Sequence, residues 1–279
     1  MAREPEPTTQ SSKIIHRHSW ITRLWHWINV LCLLVLLMSG LQIFNAHPAL
    51  YWGHRSHFNH PLMAIGAQRT DAGKPMGYVA IDGTKIPTTG VLGLSWTNGQ
   101  MQVRAFPEWA TLPGPQWLAL GRQWHFIAAW VFGILLVLYL AYSLISRRRR
   151  RLLAPHASEL RDIGHVATEH ARFHFPRLRH YNIIQKLSYN GVLFIVLPLI
   201  VLSGLTMSPT MDSAWPWLTL VFDGRQSART IHFICAFLLI TFFVVHLLLV
   251  LFSGPLNNLR CMISGGYRID HEESHRHAE

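Results

Sequence analysis

Arg-x-x-His occurs three times at or just before the start of a long apolar stretch: Arg23-Leu-Trp-His26, Arg122-Gln-Trp-His125 and Arg229-Thr-Ile-His232. A fourth histidine, His246, follows fourteen residues after His232 inside the same stretch. Ionisable side chains at membrane depth are costly, face the interior of a helix bundle and mark functional sites. Neutral imidazole is a common metal ligand and an axial ligand of haem iron. Fourteen residues of α-helix rise about 21 Å and, at 3.6 residues per turn, return to nearly the same face. One helix can therefore present His232 and His246 at two depths. Depth then pairs His26 with His246 and His125 with His232. A structural zinc site needs four convergent ligands, whereas these divide into two sets of two. The pattern reads as two bis-histidine b haems, with His26, His125, His232 and His246 on the irons. A residue three positions before a histidine shares its helical face, so Arg23, Arg122 and Arg229 are candidate partners for haem propionates.

Such histidines need apolar helices to carry them. The chain is 279 residues long, 50% hydrophobic and only 14% charged. Four segments, about 27–44, 126–145, 187–207 and 231–252, reach the roughly 20 residues that cross a bilayer. The expected fold is all-α: an integral membrane four-helix bundle with a long periplasmic loop between helices one and two. Residues 1–19 form a cytoplasmic tail, 20–265 the transmembrane cytochrome b domain and 266–279 a second tail. The polar, proline-rich start is not a signal peptide.

The formal net charge of +11 is unevenly placed. Arg147 to Arg151 form a five-arginine block directly after the second span, and the same 146–186 loop adds Arg161, Arg172, Arg177, Arg179 and Lys186. Basic residues flanking spans mark the cytoplasmic side. That places both termini and the 146–186 loop inside, and the loops 45–121 and 208–228 outside. The charge is accounted for without nucleic acid. The cysteines are Cys32, Cys235 and Cys261, and no Cys-x-x-Cys-His sequence occurs. Haem held here is thus non-covalent, and iron–sulfur ligation is not expected.

A faint internal repeat runs through the spans. Arg122-Gln-Trp-His125-Phe126-Ile127-Ala128-Ala129 parallels Arg229-Thr-Ile-His232-Phe233-Ile234-Cys235-Ala236, and Ser39-Gly40-Leu41 parallels Ser203-Gly204-Leu205. This reads as a repeated helical hairpin. Gly40, Gly133 and Gly204 serve either close helix packing or room for a flat macrocycle. Pro198 should kink the third span. The 45–121 loop is rich in glycine, proline and aromatics and lacks clear periodicity. It is expected to be a folded or membrane-lying cap, with docking of a partner the sharper reading. His47, His54, His57 and His60 cluster after the first span without metal-ligand spacing and read as loop or interface residues. His16, His18, His165, His170, His174, His180 and the tail histidines read as solvated.

With these residues in view, the chain resembles the bacterial di-haem cytochrome b subunits of nickel–iron hydrogenase, formate dehydrogenase and thiosulfate reductase. Arg23-x-x-His26-Trp27, His125 and the His232/His246 pair carry the likeness, which spans roughly residues 15–265; the long loop fits the thiosulfate-reductase branch best. The resemblance implies two non-covalent b haems passing electrons between the quinone pool and a periplasmic oxidoreductase or cytochrome. The chain would then be an electron-transfer and anchor subunit with no catalytic residues of its own, its partner a molybdenum-cofactor enzyme or a soluble cytochrome. Formate dehydrogenase-type subunits carry Tyr-Asn-x-Gly-Gln-Lys before the third helix, where this chain has Tyr181-Asn182-Ile183-Ile184-Gln185-Lys186. Asn182, Gln185 and Lys186 are therefore candidate contacts for quinone as exchangeable substrate, although Ile184 replaces the glycine and helix capping is the other reading of Asn182 and Gln185. The competing class is a stand-alone haem b membrane oxidoreductase, either superoxide oxidase-like or a metal reductase. The aromatic outer loop favours a protein partner.

Overall fold

A computed structural model describes residues 13–97, 99–146, 154–172 and 182–269. The Arg147–Arg151 block, Arg177, Arg179, His174, His180, Tyr181, His271, His275 and His277 lie outside the described residues. Among the described residues, four helices are long and apolar enough to cross a membrane: Trp20–Asn45, Leu118–Ile145, Ile183–Met207 and Arg225–Phe252. Most of their apolar surface is uncovered, and the fourth is only 6% buried over its most apolar window. Exposure on this scale suits hydrocarbon rather than water. The protein is a multi-pass membrane protein.

The third span is not one regular helix. Ile183–Gly191 passes into a π-helical turn at Val192–Val196, and Leu197–Met207 completes the span. Pro198 cannot donate an intrahelical hydrogen bond, and a π turn just before it absorbs the misfit.

The chain divides into two compact units. One comprises residues 1–27, 141–192 and 241–279. In it, strand β1 (Lys13–His16) pairs antiparallel with a strand near the other end, Gly266–Ile269, so the two terminal segments are joined. The short helix Pro255–Ser264 packs beside the first span, where Trp27 Nε1 donates to the Met262 carbonyl at 3.1 Å and Arg23 donates to that of Ile263. Gly265, at φ 87°, ends this helix where a Cβ would strike the His16 ring.

The other unit comprises residues 28–140 and 193–240. Between the first two spans it contains β2 (Ala49–Leu50), β3 (Met63–Arg69), β4 (Pro75–Ile81) and β5 (Thr84–Pro87) in one antiparallel sheet, ordered β2-β3-β4-β5. A hairpin of β6 (Gly93–Thr97) and β7 (Gln100–Arg104) packs against it. The expectation of an all-α protein is therefore wrong: the 45–121 segment is a β cap, and β8 (Gly266–Ile269) adds a further strand. Its strands are short and its signals local. Asp82-Gly83 between Ile81 and Thr84 is a two-residue hairpin turn with φ of 47° and 78°, the left-handed pair that a type I′ turn requires. Gly93, at φ 76°, lets the hairpin approach so closely that a Cβ would run into the Gly66 carbonyl.

The cap is fastened to the first span by polar and apolar contacts. Phe44, Leu50, Ile65, Ala105 and Phe106 form its buried core, with Phe233 of the fourth span packed against it. Asn45 exchanges two hydrogen bonds with the Phe106 backbone, at 2.7 and 3.3 Å. Buried Arg104 donates to Gln42 at 3.4 Å and to Thr111 and the Gly114 carbonyl at 3.0 Å.

Candidate functional site

Within this second unit the second and fourth spans bring His125 and His232 face to face. Their ring centroids stand 6.2 Å apart at an interplanar angle of 61°. Two imidazoles on opposite sides of one metal ion would stand about 6.4 Å apart, from metal–nitrogen bonds of about 2.0–2.1 Å and roughly 1.2 Å from nitrogen to ring centre. The spacing fits a metal-centred group.

The first and third spans prepare the two rings in the same way. Ser39 Oγ donates to the Val35 carbonyl at 2.6 Å and lies 3.1 Å from His125 Nδ1. Ser203 Oγ donates to the Leu199 carbonyl at 2.7 Å and lies 3.3 Å from His232 Nδ1. A hydroxyl whose proton is already given away can only accept from the ring, so each Nδ1 carries the proton. For His232 the Ile200 carbonyl is a second acceptor at 2.9 Å, and the Leu36 backbone plays that part for His125. Each Nε2 is thereby the nitrogen with a free lone pair. A hydrogen bond at the far nitrogen is the usual way to fix the tautomer and orientation of a ligating imidazole. The adjoining glycines leave room for the rings: a Cβ on Gly40 would lie 3.4 Å from His125 Cε1, and one on Gly204 3.2 Å from His232 Cε1. The Ser-Gly-Leu repeat thus marks the cradle of each histidine, a role that was not assigned to the serines on sequence.

His26 and His246 lie in the other unit and are close enough to interact electrostatically. His246 stacks on Phe242 at 5.7 Å, and His26 meets Trp27 edge-on at 5.2 Å. His26 Nδ1 is buried without a hydrogen-bond partner among the described residues. Among the described residues, no serine corresponding to Ser39 or Ser203 meets His26.

The three candidate propionate arginines separate. Arg23 holds the Ile263 carbonyl, and exposed Arg122 lies over the ring of its own neighbour Phe126 at 5.5 Å. Arg229 turns inward, donating to the His47 carbonyl with the Phe44 ring 5.4 Å away. At the start of the third span, Asn182 and Gln185 form a reciprocal capping box: Gln185 N donates to Asn182 Oδ1 at 2.9 Å and Asn182 N to Gln185 Oε1 at 3.4 Å. Lys186 is buried and donates to both oxygens of Glu159, at 2.6 and 2.8 Å. Among the described residues, no group of three or more His, Cys, Asp or Glu side chains could hold a metal ion, the His47, His54, His57 and His60 region included.

Apolar spans that carry an imidazole pair at this spacing suit a membrane cytochrome of the b type. The chain belongs to the prokaryotic cytochrome b561 family, whose sequence model matches residues 88–265 and takes in His125, His232 and His246. It is a haem b membrane electron-transfer protein. A relative in Azospira oryzae, provisionally named protein-methionine-sulfoxide reductase subunit YedZ1, is 26% identical over 245 residues, covering 86% of this chain and 92% of its own length. No solved structure matches the chain.

Proposed function

We propose that this protein is the electron-transfer and anchoring subunit of an oxidoreductase, with one haem b on His125 and His232 and a second on His26 and His246. The observation that carries this is the His125–His232 pair, at 6.2 Å with both rings oriented through Nδ1. A bound haem b takes up and gives back one electron at a time, and the protein sets its position and surroundings. The spans hold the imidazoles in place, the serines fix their tautomers, and the apolar helices exclude water.

The arginine-rich 146–186 loop argues for a cytoplasmic location of that loop and of both termini in a bacterial inner membrane. His125 and His232 then serve the exported side, under the β cap, and His26 and His246 the cytoplasmic side. We place quinone at the latter end. Asn182, Gln185 and Lys186 hold the start of the third span, and the proposal makes the Asn182 amide the group that meets a quinone carbonyl. The name of the Azospira relative supports a partner that reduces methionine sulfoxide in proteins. Electrons would then run from quinol outward.

Haem counting tests the proposal. Purified protein should carry two haems b per chain by pyridine haemochrome, both low-spin because both axial positions are filled. His125→Ala and His232→Ala should each leave one. A replete wild-type protein with one haem or none rejects the pairing.

A further inference from the structure

The segment that leaves the first span is tied to the start of the fourth by a row of hydrogen bonds. Arg229 donates to the His47 carbonyl, Thr230 Oγ1 to that of Tyr51 at 2.6 Å, and Gly53 N to Ser227 Oγ at 2.6 Å. Gln226 N and Ser227 N both donate to the Gly53 carbonyl, at 3.1 and 3.3 Å. Residues 47–53 are thus a strap over the helix start. Arg229 sits one turn, about 4.5 Å of rise, before His232 on the same helical face. On the first span, Phe44 is one turn beyond Gly40, the residue in contact with His125, and His47 opens the strap just after it.

Two side chains at this junction, Arg229 and His47, lack a complementary partner. Arg229 is partly buried, yet among the described residues no carboxylate pairs with it; its partners are a carbonyl and the face of Phe44. A buried cation without an anion is unfavourable. His47 Nε2 is likewise buried without a hydrogen-bond partner among the described residues. Its ring is held by stacking on Tyr51 at 5.6 Å and by the edge of Phe58 at 5.8 Å. Burial, and then the charge of Arg229, push His47 below the usual histidine range, so it is neutral at pH 7 and has one ring proton to donate. A cationic fork beside a neutral N–H donor is a receptor for a carboxylate.

We propose that the strap is a carboxylate clamp, in which Arg229 and His47 Nε2 together grip a propionate of the haem carried by His125 and His232. This rests on the assignment of those two histidines as haem ligands. His47 is then a binding residue.

The test uses the full-length protein with Arg229→Gln, Arg229→Lys, His47→Ala and His47→Gln. The readouts are haem per chain, the potential of each haem by spectroelectrochemical titration, and the rate of haem release to apomyoglobin. Arg229→Gln and His47→Ala should keep the haem count of freshly purified protein. In both, the potential of the His125/His232 haem should fall and its release should quicken several-fold, while the other haem is unmoved. Arg229→Lys keeps the charge and His47→Gln keeps a donor, so both should stay near wild type; a purely packing role for His47 would not be rescued by glutamine. Wild-type potential and release in His47→Ala overturns the clamp, even if the arginine variant fails to fold. A free anion in place of the propionate would show as a wild-type potential that responds to added acetate, which also overturns it. The underlying assignment fails separately, if His125→Ala leaves the haem count unchanged.

Discussion

Three intramembrane glycines that look equivalent in the sequence have different neighbours. A Cβ on Gly204 or Gly40 meets a histidine ring at 3.2 or 3.4 Å, whereas one on Gly133 meets only Val201 Cγ1 at 4.0 Å. A branched side chain at Gly204 would displace His232 and break its bonds to Ser203 and the Ile200 carbonyl. Gly204→Val should therefore lower the haem content of the purified protein by one per chain, with the remaining haem spectrally normal. Gly133→Ala should leave both haems in place. Two haems in the Gly204→Val protein would mean that the His232 ring is not confined as described. The same consideration applies to Ser39 and Ser203: their hydroxyls decide which ring nitrogen keeps its lone pair, so their influence is on ligand geometry rather than on packing.

The start of the third span is an element held by two devices. Asn182 caps it reciprocally with Gln185, and Lys186 pairs with Glu159. Serine is as good an N-cap as asparagine, while alanine costs about 1 kcal/mol. Asn182→Ala should lower the melting temperature and Asn182→Ser should not, yet both remove the amide proposed to meet quinone. Both should slow quinol-driven haem reduction with spectra unchanged. A wild-type rate in Asn182→Ser reduces Asn182 to a cap alone. The ion pair adds a pH dependence. Burial raises the affinity of Glu159 for its proton, but the His156 N–H and the Lys186 ammonium outweigh it and hold the carboxyl below its usual range. Its contribution to stability is present above the unfolded carboxylate pKa of about 4.3 and is lost as the pH falls through the lower folded value. Glu159→Gln should flatten the loss of thermal stability in that acid window, and an unchanged slope would show that the pair contributes nothing measurable.

For the whole molecule, orientation is what turns two histidine pairs into a path with an inside and an outside. Reporter fusions after Arg151 and at the C-terminus should report cytoplasm, and fusions near Asp82, on the β4–β5 turn of the cap, should report the exported side. The opposite pattern would exchange the labels of the two proposed haem sites and move the proposed partner to the other face, leaving the proposed ligand pairs as they are. The cap belongs to this scale as well, because its buried core includes Phe44 and packs against Phe233, residues of two spans that also carry the histidine cradle and His232.

Much of this was written locally in the chain. Span length and apolarity depend only on composition over about 20 residues, and the spacing of His232 and His246 follows from helical repeat alone. The Asp82-Gly83 turn is equally local, and it marks the two strands that it joins. Other features had no local signal. Ser39 and His125 are 86 positions apart, and Arg229 meets the carbonyl of a residue 182 positions away. Arg23, Arg122 and Arg229 share one motif, but only packing by the cap and the terminal helix decides that the first holds a carbonyl, the second lies over its own neighbour and the third turns inward. A motif specifies which face of its own helix a side chain leaves from; what waits on that face is supplied by distant chain, and that only the tertiary structure decides.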